Sequence, residues 1–341
     1  MARHKWDPRC ERPDDLCWPI RVGQDGLTRG LARGSKWRQC ASSHYVPAGI
    51  DSTVVEQRII EQAARLSNLG AVTAWAALRW YGATFFDGTA EGGRRCLPVP
   101  LVVGSDLRPD PRSSLSWEQL APTERVVVAG LPCTTVQRAL FDEMRRGGLW
   151  HAVRAMDMAA AAELISVELM LTYVEHRYAW TRVPLVREAL LLAVDDSRSP
   201  QESSMRLVWR VVARLPTPVC NRPVFSLGGT LLGVPDLFDP EAGLVGEYDG
   251  ADHLQDDRRL RDTSREERFR DHGLEYFRVV KGELGAADHV AQRMLQARGR
   301  APFLDEADRS WTLTPPPWFG VPETLDERLV RLGMVSTLTH C

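Results

Sequence analysis

Lysine is almost missing from this chain of 341 residues: Lys5, Lys36 and Lys281 are the only ones, and arginine supplies the rest of the positive charge. Charge of either sign is not in excess. The formal net charge is −2, which excludes a global basic field, so any face that meets nucleic acid has to be local. Long apolar runs are missing too. Nothing is long enough to span a bilayer, and the Met1-Ala2-Arg3-His4 start has no apolar signal core; a cytoplasmic protein with no membrane association is expected. The seven cysteines (Cys10, Cys17, Cys40, Cys96, Cys133, Cys220, Cys341) are odd in number and scattered, which excludes the disulfide framework of a small secreted domain. Cys10, Cys17, Cys40 and His44 have zinc-ligand chemistry, but six residues separate the first pair where zinc sites usually have roughly two to four. The alternative there is a poorly ordered N-terminus followed by a small β-turn unit.

What is present reads as a soluble protein of more than one module. The length favours two or three domains, and a hydrophobic fraction of 44% with 26% charged residues is ordinary for a globular chain. A short hairpin with a basic tip is expected between Gly34 and Pro47. From Ser52 the apolar residues Val55, Ile59, Ile60 and Ala63 recur at helical spacing. A second helix over 72–81, strands at 96–103 and 126–129, and a turn at Gly130-Leu131-Pro132 follow. Thr134-Thr135 caps a helix over 136–144. Further amphipathic helices are expected at 149–161, 163–175 and 184–194, with the tryptophans of this half in its core. The polar stretch Asp195-Asp196-Ser197-Arg198-Ser199-Pro200 breaks the helical period, and a domain boundary is placed there.

Beyond it, Ser199-Pro200-Gln201-Glu202 opens a capped helix. Strands are expected at 219–225, 231–238 and 244–248, a mixed-charge helix at 257–272, a strand at 274–280 and a helix at 286–297. The fold class is therefore α/β, α+β in the N-terminal half, with an α-β-β-β-α-β-α module after the boundary. Residues 302–322 are proline-rich and read as linker or tail, with one more helix over 323–334. The expected domains are a poorly defined segment 1–50, a mixed α/β region 51–196, the α/β module 197–299 and a tail 300–341.

Acidic residues on strands carry the sharpest chemical signal. Residues two apart on a strand share a face, so Glu247 and Asp249 point the same way. A hairpin brings Asp236 to join them. Three close carboxylates repel and raise one another's pKa, and a divalent cation with oxygen ligands, Mg²⁺ or Mn²⁺, relieves the repulsion. Against this, Asp249-Gly250 is also a common tight-turn dipeptide, and His253 is equally a turn or helix-cap histidine. The arginines of the helix that follows, interleaved with acids, read as a solvated, salt-bridged face.

Several of these pieces, in this order, resemble a known family. They are Ser199-Pro200-Gln201-Glu202, Pro235-Asp236, Glu247-Tyr248-Asp249-Gly250 with His253, the arginine-rich helix from Arg258, and Tyr276-Phe277-Arg278-Val279-Val280. Together they resemble the DUF559 group of very-short-patch-repair-like proteins in the PD-(D/E)xK endonuclease superfamily. Tyr45-Val46-Pro47-Ala48-Gly49, Trp75-Ala76-Ala77-Leu78 and the run from Val126 to Thr135 resemble AbiEi-type antitoxins and transcriptional regulators.

The first resemblance implies a restriction-endonuclease-like domain that hydrolyses DNA phosphodiesters with Mg²⁺. Asp236 and Glu247 are its implied metal ligands, with Asp249 a third ligand or acceptor of a metal-bound water, and Glu202 completes the catalytic site. The superfamily's lysine position holds Asp249 in this chain. His253 is the candidate acid/base in its place, and Lys281 is a more distant substitute. The alternative class is a non-catalytic DNA-binding regulator or antitoxin that keeps the nuclease fold; its partners are DNA and a cognate toxin protein.

Overall fold

The computed structural model describes residues 16–90, 93, 95–104, 106–250, 265–320 and 323–334. The chain forms two compact units: residues 1–147 with 176–181, and residues 148–175 with 182–341. Helices and sheets are mixed in both. No helix among the described residues is long and apolar enough to cross a membrane.

The first unit begins with a three-stranded sheet in the order β1-β3-β2, made of β1 (Ile20–Arg21), β2 (Trp37–Ala41) and β3 (His44–Pro47). Its larger sheet runs β6-β5-β4-β8-β7: β4 (Ala71–Val72), β5 (Val99–Val102), β6 (Ser113–Ser116), β7 (Arg125–Val128) and β8 (Leu131–Thr134). Leu131 and Pro132, expected in a turn with Gly130, open the strand β8 instead, which runs on through Thr134. Ala129 and Gly130, both with positive φ, make the tight reversal that folds β8 back on β7. Helices α1 (Arg29–Ala32), α2 (Val55–Ala63), α3 (Ala74–Tyr81) and α4 (Val136–Met144) pack with these sheets. Helix α4 starts where Thr135 accepts a hydrogen bond from the Arg138 amide, and it buries Ala139, Leu140, Phe141 and Met144. It also buries Arg138 completely, bonded to Glu124 and Asp142 at 3.0 Å each, with the Trp180 ring 4.4 Å from the guanidinium. Residues 176–181 belong to this unit through that stack.

The second unit opens with α5 (Leu149–Ala161), α6 (Val167–Glu175) and α7 (Val183–Leu190), followed by α8 (Pro200–Leu207). The sequence groups α5 to α7 with the N-terminal half and divides the chain near 197; the compact units divide at Gly148 instead. The reason lies in a buried ion pair. Asp157 of α5, fully buried, accepts from Arg206 of α8 at 2.6 Å, from the Ser203 hydroxyl and from the Val194 amide at 3.0 Å. The polar run 195–200 therefore lies between two elements of one core.

Two small sheets follow. Strands β11 (Leu237–Asp239), β12 (Leu244–Asp249) and β13 (Glu275–Val280) form one, with β11 and β12 antiparallel and β12 and β13 parallel. The second has the order β10-β9-β14, from β9 (Val224–Ser226), β10 (Leu231–Gly233) and β14 (Trp311–Thr312). The two strands expected at 219–225 and 231–238 are each split between these sheets. Val219 bridges Phe238, whereas Phe225 pairs with Leu231; Pro235, with no amide hydrogen to give, interrupts the second run. Helix α9 is described over 265–271, and α10 spans Ala287–Arg300.

The proline-rich stretch is no loose tail. Trp311 is buried edge-on to Phe238 with centroids 5.0 Å apart, and Phe319 packs 4.9 Å from Phe225. Its aromatic residues bury enough surface to order it. The last helix, α11 (Leu325–Arg331), has a complete capping box from Thr324 and Glu327.

Candidate functional site

The β11–β12 hairpin sets the site. Leu237 pairs with Gly246 in antiparallel register, so one step further Asp236 stands opposite Glu247. Asp236 Oδ2 accepts from the Tyr248 amide at 2.7 Å, which fixes its carboxylate against the outgoing strand. Beneath the hairpin, Gly246 is required by packing. The Phe277 ring of the parallel neighbour lies where a Cβ would fall, 2.3 Å from the nearest ring atom, and stacks on Trp209 at 5.9 Å and 12°. Trp209 is carried by a π-helical turn, Val208–Val212, that continues α8.

Glu202 reaches the same region from the first turn of α8. Ser199 caps that helix by accepting from the Glu202 amide, while Glu202 Oε2 accepts from the Arg198 amide at 2.9 Å and from Asn221 Nδ2 at 2.8 Å. Burial pushes the Asp236 carboxyl up to about 6, and the nearby Glu202 charge pushes the same way; the Tyr248 amide, Arg265 and Arg198 oppose them. The perturbation comes first from burial and only then from the second acid, a combination that clefts with chemical roles often show.

Glu247 and Asp249 alternate with Tyr248 along β12 and share one face with Tyr276 and Arg278 of β13. Each meets a guanidinium. Glu247, 5% exposed, forms an ion pair with Arg265 of α9. Asp249 lies 3.5 Å from Arg278, which also reaches Glu266 at 3.6 Å. Tyr276 beside them has its hydroxyl pushed up to about 12, by burial first and the Glu247 charge second. The Lys281 amide donates to the Asp249 carbonyl at 3.0 Å, so this lysine sits at the end of the same strand pair. His253 and the first part of the helix expected from Arg258, up to residue 264, lie outside the described residues.

The structure thus brings Asp236 opposite Glu247 and brings Glu202 within electrostatic reach of Asp236. Asp249 is turned to Arg278. Among the described residues, no group of three or more His, Cys, Asp or Glu side chains is gathered so as to hold a metal ion, and this includes the Cys17, Cys40 and His44 set. Carboxylate oxygens suit a hard divalent cation, and a cation at Asp236 would offset both the burial and the Glu202 charge that raise its pKa. Asp236 and Glu202 therefore fit that role, Glu247 fits it once Arg265 gives way, and Asp249 already has its counter-charge. The residues missed by the reading of the sequence are Arg278 as partner of Asp249 and Asn221 as the group that holds Glu202. Arg278 was visible in principle, because its strand neighbours the acidic one. Arg265 was read only as part of a solvated face.

Comparison of the chain with protein-family models, with curated proteins and with solved structures gives no match.

Proposed function

We propose that the second unit is a DNA phosphodiester hydrolase that works with Mg²⁺ or Mn²⁺, its site built on Asp236, Glu247 and Glu202. The observation that carries this reading is Asp236: a carboxyl at a strand start, opposite Glu247, whose pKa is pushed up by burial and by a second acid. A divalent cation there would polarise a phosphodiester oxygen and lower the pKa of an attacking water. The chain's own residues do the rest. The Tyr248 amide orients Asp236, Asn221 and the Arg198 amide orient Glu202, and Arg265 supplies the counter-charge to the Glu247 carboxylate until a cation competes for it. His253 is the acid/base candidate and Asp249 an acceptor for a metal-bound water. The resemblance to DUF559 proteins supports the same assignment, and the resemblance of the first unit to AbiEi-type regulators supports a recognition or regulatory role for it.

The second reading is a DNA-binding regulator or antitoxin, partnered by a cognate toxin, that keeps this fold without catalysis. It is favoured by the guanidinium partners of Glu247 and Asp249, which neutralise these acids with no metal. Calorimetry with Mg²⁺ and Mn²⁺ on the wild type and on Asp236→Ala/Glu247→Ala, followed by plasmid nicking with the same samples, separates the two. Binding and nicking that both vanish in the double variant support the hydrolase. A wild-type protein that binds neither ion overturns it and leaves the regulator.

A further inference from the structure

The first unit holds a cavity of about 400 Å³ that the proposed chemistry of the second unit does not use. Arg21, His44, Arg65 and Arg108 line it, and among the described residues Asp106 is the one carboxylate that lines it with them. The fold forces these cations together. Arg21 and His44 are register partners on β1 and β3, Arg65 follows α2, and Arg108 lies on the connection between β5 and β6. Arg65 is built in: its side chain is 2% exposed, it donates to Ser113 Oγ at 2.9 Å and to the Arg108 carbonyl, and its Nε is buried with no hydrogen-bond partner. Its nearest carboxylate, Asp110 at 4.0 Å, is already engaged by Arg112 at 2.8 Å. Arg21 and Arg108 are exposed and have no side-chain partner among the described residues. The cavity is cationic enough to be felt by its own members: burial lowers the His44 pKa, and Arg21 and Arg65 lower it further.

A second cavity of about 600 Å³ adjoins the first and shares Val103 and Asp106 with it. Its character is different. Trp117, 63% exposed, and Leu69, 61% exposed, offer it an aromatic and an aliphatic surface. Arginines with spare donors bind phosphate oxygens, and an exposed tryptophan stacks on a base. An anion hole beside an aromatic platform, with one acid on their shared border to accept from a sugar hydroxyl, is a set of contacts for one kind of ligand.

We propose that the first unit binds a nucleoside phosphate, its phosphate among Arg21, Arg65 and Arg108 and its base against Trp117. This assignment does not rest on the reading of Asp236 and Glu247. The ligand is either a free nucleotide or one unit of a single strand, and the test distinguishes them. The full chain, in EDTA so that no strand is cut, is titrated with AMP and with inorganic phosphate by calorimetry, and with a short labelled oligothymidylate by fluorescence anisotropy. Arg21→Ala/Arg108→Ala removes two exposed side chains that hold nothing in the fold, and is expected to weaken binding about tenfold or more. Trp117→Ala is expected to weaken AMP about tenfold and to leave inorganic phosphate unchanged. AMP binding identifies a free nucleotide; oligothymidylate binding without AMP identifies a strand; either supports the site. A wild-type protein that binds neither, or a double arginine variant that binds as the wild type does, overturns it.

Discussion

Asp236→Asn should make this protein more stable, and increasingly so as the pH rises. The substitution keeps the shape and keeps an oxygen to accept from the Tyr248 amide at 2.7 Å, while removing the charge. The Asp236 carboxyl goes from an ordinary 3.8 to about 6 in the folded protein. The folded state therefore holds its proton more tightly than the unfolded chain, and stability falls as the pH climbs through that window. Above pH ~6.5 the native carboxylate is ionised at a cost of about 3 kcal/mol, from about 1.4 kcal/mol per pH unit. Below pH ~3.5 the cost vanishes, because the group is neutral in both states. Urea denaturation of wild type and variant should give a difference of about 1 kcal/mol near pH 4.5 that grows to about 3 kcal/mol near pH 7.5, always in favour of Asn. Asp195, also pushed up to about 6 by burial and then by Asp326 and Asp196, titrates in the same window. It is present in both proteins and cancels in the difference. Saturating Mg²⁺ should favour the wild type and shrink or reverse the gap if a cation binds here. A difference that stays constant with pH, or a variant less stable at pH ~7.5, refutes the reasoning.

Two further outcomes follow from the packing. Asp157→Ala leaves the Arg206 guanidinium, 2% exposed, without its carboxylate. A loss of about 3–5 kcal/mol is expected by chemical denaturation; a loss below about 1 kcal/mol would show that the pair does not tie α5 to α8. Gly246→Ala puts a methyl group into the Phe277 ring, 2.3 Å from its nearest atom. It should cost about 1–3 kcal/mol and disturb the Trp209 stack, readable as a change in near-UV circular dichroism; an unchanged melting curve and spectrum would refute that packing.

The legible parts of the fold were those with a local cause. The α4 helix starts at Thr135 because a hydroxyl there caps it, and α8 starts at Ser199-Pro200 for the same reason. The pairing of Asp236 with Glu247 follows from hairpin register alone. What could not be read depends on partners far away in the chain. Asp157 and Arg206 are 49 residues apart, and nothing local announces that they share a core. The strand β8 hid behind Gly130 and Pro132, which suggest a turn until the neighbouring β4 and β7 supply its hydrogen bonds. Trp311 and Phe319 were masked by the prolines around them. The arginines that face Glu247 and Asp249 escaped for the opposite reason: mixed charge on a helix or strand usually does mean solvent.

The loop 176–181 has a consequence for how such a protein can be inherited. Residues that complete the first unit are encoded inside the second, after α6 and before α7. A gene break at residue 147 would leave Arg138 buried without the Trp180 ring that covers it. The downstream fragment would meanwhile carry six residues that belong to another core. Neither half is a cassette that recombination can move by a single cut. Any shuffled descendant that keeps both folds has to carry the stretch from Gly148 to Thr181 as a splice between them, and a search for the two halves in other chains should expect them to travel together.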